Sequence, residues 1–148
     1  MRRVRAALAA ILLLGLVVAA TALAKSEKYE GNFPSDANSG IELKAKFKGK
    51  KPKTVTQATW FNTDAACSND TTIQQGAGFR AKVKVKRNRS FSYEDDSTSP
   101  AGALHIEIKG KFAQDGKTVS GTVTQTQGYF GDLFSCTTPE TTFEASSK

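Results

Sequence analysis

The sequence is short of the side chains that carry most protein chemistry. It holds one histidine, His105, and two cysteines, Cys67 and Cys136, in 148 residues. Those three cannot fill a four-coordinate structural zinc site without help from carboxylates. No Gly-x-Ser-x-Gly elbow is present to expose a hydrolase serine. No acidic run has the spacing of an EF-hand calcium loop. Beyond residue 24 no stretch repeats its apolar residues with a helical period, which excludes a helical core. There is no internal repeat and no domain linker, so the body of the chain reads as one domain.

What is present begins with a leader. Arg2, Arg3 and Arg5 precede an apolar run centred on Ile11-Leu-Leu-Leu14, and Ala22-Leu23-Ala24 supplies a small-x-small cleavage site. Residues 1–24 are read as a secretory signal peptide and residues 25–148 as the mature domain. An uncleaved anchor is the alternative, because residues 6–24 are 19 uncharged residues, long enough to cross a bilayer. The Ala-Leu-Ala site that ends the run favours cleavage, and no nearby cysteine invites a lipid anchor. Loss of the three leader arginines leaves 18 Lys and Arg against 14 Asp and Glu, lowering the net charge from +7 to about +4. In an exported protein, Cys67 and Cys136 read as a disulfide, with free thiols or a metal pair as the alternatives. It closes a loop of about 70 residues, worth roughly 4 kcal/mol in the chain-entropy description.

Residues 104–124 read as a β-hairpin. Asp115-Gly116 is a two-residue type I′ turn signal. Folding about it sets Phe112 opposite Val119, Gly110 opposite Gly121 and Ile108 opposite Val123 on one face. The other face pairs Lys111 with Ser120, Lys109 with Thr122, Glu107 with Thr124 and His105 with Thr126. A slip of one residue would bury the charges, so turn and alternation select one register. The glycine pair leaves a gap to be filled by a large ring, with Trp60 and Phe143 among the candidates.

The same alternation recurs elsewhere. Residues 29–33 form a short strand. Residues 41–48 alternate strictly, with Ile41, Leu43, Ala45 and Phe47 inward and Glu42, Lys44, Lys46 and Lys48 outward. Residues 49–53 make a basic turn. In residues 54–62 the inward set is Val55, Gln57, Thr59 and Phe61, or Thr56, Ala58 and Trp60, or both if a bulge intervenes. Residues 79–86 alternate again, with Ala81, Val83 and Val85 inward. A three-residue loop, Arg87-Asn88-Arg89, then puts Val85 opposite Phe91 and Val83 opposite Tyr93. Residues 35–40, 63–72, 94–102 and 127–135 read as loops. Gly76 and Gly78 break a weak segment, and residues 136–145 form a last strand interrupted at Pro139. The fold class is all-β, an antiparallel β-sandwich or flattened barrel of seven to eight short strands with one disulfide.

A family resemblance rests on these residues. Tyr29-Glu-Gly31 is followed by an alternating strand, then Lys50-Lys51-x-Lys53-x-Val55 and the single Cys67. Next come Phe91-Ser92 in a hairpin, the run Gly110-x-Phe112-x-x-Asp115-Gly116-x-x-x-x-Gly121-Thr122, Cys136-x-Thr138 and Phe143-x-Ala145. The layout resembles small exported β-sandwich proteins of actinobacteria and related bacteria, and spans nearly the whole mature chain. The resemblance implies an extracellular β fold and no activity. Such sequences often end with Trp before x-Ala, where this chain has Phe143.

Several groups of residues could serve function. The lysine rows Lys44, Lys46, Lys48 and Lys82, Lys84, Lys86, with Lys109, Lys111 and Lys50, Lys51, Lys53, suit an anionic polymer. Their ordinary reading is a solvated face that discourages edge pairing. Trp60, with Tyr129, Phe130 and Phe134 of the 129–134 segment, could stack on sugar rings; a tryptophan inside a strand is ordinarily core. Glu94, Asp95 and Asp96, with Ser97 and Thr98, offer oxygen ligands of the kind calcium takes. Asp64, Asn69 and Asp70 form a looser set, and a solvated polar loop is the ordinary reading of both. His105 sits outward beside Glu107, as a surface histidine or a member of a triad. Asn69-Asp-Thr71 and Asn88-Arg-Ser90 match the glycosylation pattern, as chance allows in such a chain.

The sequence thus describes an exported, monomeric binding or structural module without catalytic residues, metal or cofactor. Its candidate partners are a cell-surface glycan or an anionic polymer. Nucleic acid is not expected, because stacking aromatics are not interleaved with the lysines. No membrane span remains once the leader is cleaved. N-terminal sequencing of the exported protein is expected to start at Lys25; a product that retains Met1 contradicts the cleavage.

Overall fold

The hairpin about Asp115-Gly116 forms in the register that alternation demands. In the computed structural model, which describes residues 24–34 and 36–148, the strands are β1 (Lys25–Phe33), β2 (Asp36–Lys48), β3 (Lys51–Cys67), β4 (Thr72–Phe79), β5 (Val83–Lys84), β6 (Ser90–Ser99), β7 (Gly102–Phe112), β8 (Thr118–Tyr129) and β9 (Phe134–Ser147). Residues 1–23, nearly all of the expected leader, lie outside the described residues. Between β7 and β8, Phe112 faces Val119, Gly110 faces Gly121, Ile108 faces Val123 and His105 faces Thr126. Ile108 and Phe112 are buried while Lys109 and Lys111 are exposed. The turn differs from the expected type I′. The Gly116 N–H donates to the Ala113 carbonyl at 3.0 Å, and only Gly116, at φ 72°, takes the left-handed conformation. The Asp115 carboxylate accepts from the Lys117 N–H at 2.9 Å, which holds Asp115 in its turn.

All pairings are antiparallel, in the order β4-β3-β2-β1-β9-β8-β7-β6, with β5 paired to β3. Near the β1–β2 turn, β3 also meets β9 through Ala66–Thr137 and Cys67–Cys136. The β1–β2 hairpin is therefore wedged between two strands that rejoin beyond it, and the sheet closes in a barrel-like way. The disulfide Cys67–Cys136 spans that junction. Across the other side the rings of Phe79 and Tyr93 stack with centroids 4.1 Å apart.

The strands number nine and are longer than expected, with β3 alone running 17 residues. The segments expected as loops are largely ladder. Residues 36–40 extend β2, 63–67 extend β3 and 94–99 extend β6, while the weak segment at 73–78 makes most of β4. Ladder hydrogen bonds outweigh the weak turn preferences of Ser, Asn and Asp there. Gly76 and Gly78 do not break β4. A Cβ on either would lie within 2.5 Å of a β3 carbonyl oxygen, so they let two backbones approach closely. Pro139 lies within β9, but the ladder to β8 is interrupted there as expected: the register shifts between Val123–Thr141 and Gln125–Thr138.

β3 resolves its two possible inward sets with a bulge. Lys44 faces Gln57 and Ala45 faces Val55, which leaves Thr56 unmatched. Val55 is inward before the bulge, and Ala58 and Trp60 are inward after it. A second shift near Asn62, at φ 56°, turns Thr63, Ala65 and Cys67 inward. The loop before β6 has the expected parity, because the Lys86 N–H donates to the Ser90 carbonyl and closes Arg87-Asn88-Arg89. Beyond that bond β5 turns to β3, and Tyr93 packs on Phe79 rather than opposite Val83.

The interior differs at its two ends. One end is plugged by Tyr29, Phe47, Phe91 and Phe112, whose ring centroids lie 5.5–6.4 Å apart in contacting pairs. Phe91 fills the gap over Gly110, where a Cβ would sit 2.5 Å from its ring. The other end holds a buried polar network. Trp60 Nε1 donates to Gln125 Oε1 at 3.1 Å, Gln75 Nε2 to Thr138 Oγ1 at 2.8 Å, and Thr63 Oγ1 to the Gln75 carbonyl at 2.8 Å. Among the described residues no buried side-chain polar atom lacks a partner, so the network carries no desolvation penalty of an unmade bond.

Tyr29 ties the aromatic plug to the β7–β8 turn, donating its hydroxyl to the Gly116 carbonyl at 2.5 Å. Burial, then the Glu27 and Asp115 carboxylates, push its phenol well above the usual tyrosine range. A raised folded value favours the fold below the unfolded value of about 10 and is lost as pH climbs toward the folded one. Stability measured by urea unfolding is expected to fall above about pH 10. Tyr29→Phe should make that fall shallower while costing about 0.5–1.5 kcal/mol at pH 7; an unchanged alkaline slope contradicts the placement.

Candidate functional site

In an antiparallel chain every second turn lies at the same end. The β2–β3 turn, the 87–89 turn and the β7–β8 turn share one end with residues 25 and 148. The turns at Pro34, 68–71, 100–101 and 130–133 share the other. All 18 Lys and Arg of residues 25–148 fall within 25–28, 44–53, 80–89, 109–117 and 148. The register gathers them at the first end. Lys46 pairs with Thr54, Thr54 pairs with Lys84, and Lys111 pairs with Ser90. The far end carries Asp64, Asp70, Asp95, Asp96, Asp132 and Glu140 and, among the described residues, no lysine or arginine.

At the basic end six cations line a recess of about 820 Å3: Lys51, Lys53, Lys84, Lys86, Arg87 and Arg89. Alternation aims them. Pro52, Val55, Val83 and Val85 are buried, so the residues between them turn outward. The Val85 N–H donates to the Lys53 carbonyl at 3.0 Å, which locks the segment after β5 against the start of β3. Arg89, at φ 69°, donates its N–H to the Lys86 carbonyl at 3.0 Å and Nη1 to the Ala113 carbonyl at 3.0 Å. Asn88 Oδ1 accepts from Ser90 Oγ at 2.7 Å and steadies the same turn.

None of the six makes an ion pair with a carboxylate among the described residues; the cations that do are Lys25, Lys28, Lys109 and Lys148, with His105 beside Asp96. Glu30 sits between Lys148 and Lys28, which hold its carboxyl below the usual range, Lys148 more strongly. Glu30, then Glu42, raise the Lys28 ammonium, and Glu107 raises that of Lys109. Six like charges in one recess with no acid in its wall raise the local positive potential and draw anions. Lysines supply mobile point charges there, and Arg87 and Arg89 add planar forks suited to phosphate or carboxylate.

Of the lysines singled out from the sequence, Lys51, Lys53, Lys84 and Lys86 line the recess, while Lys82 is exposed outside it. Arg87 and Arg89 were legible only as loop residues, because the bond that folds their turn against Ala113 is remote in sequence. Trp60 must be withdrawn as a ligand platform. It is 1% exposed and its indole N–H is committed to Gln125. The 129–134 segment is a tight turn rather than a long loop. Tyr129 stacks on Phe134 at 5.4 Å, Phe130 lies 5.9 Å from Phe134, and Phe130 and Leu133 are 79% and 81% exposed. This apolar tip is at the acidic end, remote from the recess. Asp132 Oδ1 accepts from the Ala103 N–H at 2.9 Å and braces it on β7.

Residues 94–98, read as a solvated polar loop with calcium as the alternative, belong to β6. Those residues are strand, so Asp95 points away from Glu94 and Asp96 and the set cannot encircle an ion. Cross-strand pairing instead brings Asp96 beside His105, with Oδ1 and Nδ1 2.8 Å apart, and Glu94 offers an oxygen within 4.8 Å of both. Both carboxylates are exposed and His105 is half-buried. Asn69 Oδ1 accepts from Thr71 Oγ1 at 2.6 Å, so the second acidic set is occupied with its own turn.

Comparison of the chain with protein-family models, with curated proteins and with solved structures returned no match. No helix among the described residues is long and apolar enough to cross a membrane.

Trp60→Phe strands Gln125 and is expected to cost about 1–3 kcal/mol. Phe130→Ser removes an exposed ring and should cost less than about 0.5 kcal/mol. Urea unfolding of both variants checks the assignment of one ring to the core and the other to the surface; equal losses contradict it.

Proposed function

We propose that this is an exported, non-enzymatic binding module whose basic end holds an extracellular or cell-envelope polymer bearing phosphate, sulfate or carboxylate groups. The observation that carries the reading is the recess of Lys51, Lys53, Lys84, Lys86, Arg87 and Arg89, which has no acid in its wall. A face kept basic only for solubility has no need to concentrate cations in a concavity. Acids intersperse the outer rows of β1 and β2, where Glu30 and Glu42 flank Lys28, but not the recess. The leader and the Cys67–Cys136 disulfide support a site outside the cytoplasm, as does the resemblance to exported actinobacterial β proteins. Exposed aromatic rings, which single-stranded nucleic acid needs for stacking, are absent from the recess wall.

A second reading, a sugar platform at the 129–134 turn, is favoured only by the exposed Phe130 ring over Phe134. It loses Trp60, and its neighbour Asp132 repels acidic glycans.

Binding to inorganic polyphosphate by calorimetry at 50, 100 and 200 mM salt tests the reading. Affinity is expected to fall steeply with salt, and Lys53→Glu with Lys84→Glu should weaken it about tenfold or more and flatten the salt slope. Lys28→Glu, at an already paired lysine, should change little. Absence of binding at 50 mM salt, or equal losses from all three positions, contradicts the proposal.

A further inference from the structure

The basic recess does not end at Lys86. That residue also belongs to a second depression, of about 440 Å3, on the outer face of β6, β7 and β8. Two cross-strand rows run over it, Ser90–Lys111–Ser120 and Ser92–Lys109–Thr122. Hydroxyls therefore flank each lysine at the strand spacing of about 4.8 Å, and the rows lie about 7 Å apart. The hydroxyl side chains are short, so Phe91, Gly110 and Gly121 are reached beneath them.

The charge along this trough is graded. Lys86 and Lys111 make no ion pair among the described residues, whereas Lys109 is held by Glu107 at 2.6 Å. The next row on the same face, Glu94–Glu107–Thr124, is acidic. A uniformly charged polyanion fits the first end and is repelled at the last. A hydroxyl-bearing unit fits the whole length. Its oxygens meet Ser92 and Thr122 in the middle, and its O–H groups can donate to the Glu107 carboxylate beyond. An anionic group at Lys86 and Lys111 then joins it to the recess.

Resting on the reading of the recess as an anion site, we infer that the trough is the subsite for a neutral, hydroxylated unit. The ligand is accordingly a polyol or sugar chain whose anionic groups alternate with hydroxyl-bearing segments, not a bare polyanion. Ser92, Ser120 and Thr122 recognise the hydroxyls, and Lys86 and Lys111 the anionic group that follows.

The test compares two probes on the full mature protein by calorimetry at fixed salt: a poly(glycerol phosphate) chain and inorganic polyphosphate of matched charge. The double variant Ser92→Ala, Thr122→Val removes two outward hydroxyls, with circular dichroism and melting to verify the fold. It is expected to lose about tenfold in affinity for poly(glycerol phosphate), the worth of two hydrogen bonds, and nothing for polyphosphate. Equal losses on both probes, or no loss on either, overturn the trough. Lys53→Glu with Lys84→Glu should weaken both probes; if it weakens neither, the recess reading fails independently of the trough.

Discussion

The arrangement depends on a property of antiparallel sheets: successive turns alternate ends, while successive side chains alternate faces. Composition confined to alternate turns is thereby converted into polarity of the whole body. In this chain the bases crowd around the turns at 49–50, 87–89 and 113–117, and long stretches between them carry none. Strand pairing stacks these stretches side by side. No single contact creates the basic end; the ladder does, together with the buried Pro52, Val83 and Val85 that turn their neighbours outward. The ladder fixes the backbone beneath the site, while the exposed lysine side chains above it stay mobile.

The interior supports the two ends differently. Beneath the basic end lie four packed aromatic rings, so the crowded cations rest on a dry core, and the Tyr29 hydroxyl fastens that core to the β7–β8 turn. At the acidic end the core thins into the Trp60–Gln125–Gln75–Thr138 network and the cystine. Amide and hydroxyl bonds replace packing there, and their directionality fixes β3, β4, β8 and β9 relative to one another. The covalent junction of β3 and β9 then holds open the slot into which the β1–β2 hairpin inserts.

Much of this was legible from alternation alone. The inward sets of β2 and β7 and the register of β7 with β8 follow from period-two patterning, because a one-residue slip exposes the core. So did the cystine, from cysteine arithmetic. Three kinds of information were not legible. The strand segments at 72–79 and 94–99 are rich in Gly, Ser, Thr and Asp, and only their ladder partners make them strands. The bulge at Thr56 was visible as an ambiguity, and its resolution needed the pairing of Ala45 with Val55. The turn at 113–117 keeps the predicted register in a different geometry, because Asp115 can bond the Lys117 N–H without adopting a positive φ. For the site, Lys84 and Lys86 were visible in their row. The recess was not, since Lys51 and Lys53 join it by pairing across β3 and β5, and Arg89 by a bond to a turn 24 residues away.

The central claim is that pairing gathers the cations into one recess and leaves other lysines outside it. Lysine acetylation footprinting, read by mass spectrometry with and without bound polyphosphate, addresses it directly. The account predicts protection of Lys51, Lys53, Lys84 and Lys86, with Lys25, Lys28 and Lys148 labelled as in the unbound protein. Uniform protection of all lysines, or protection centred on Lys28, would contradict it.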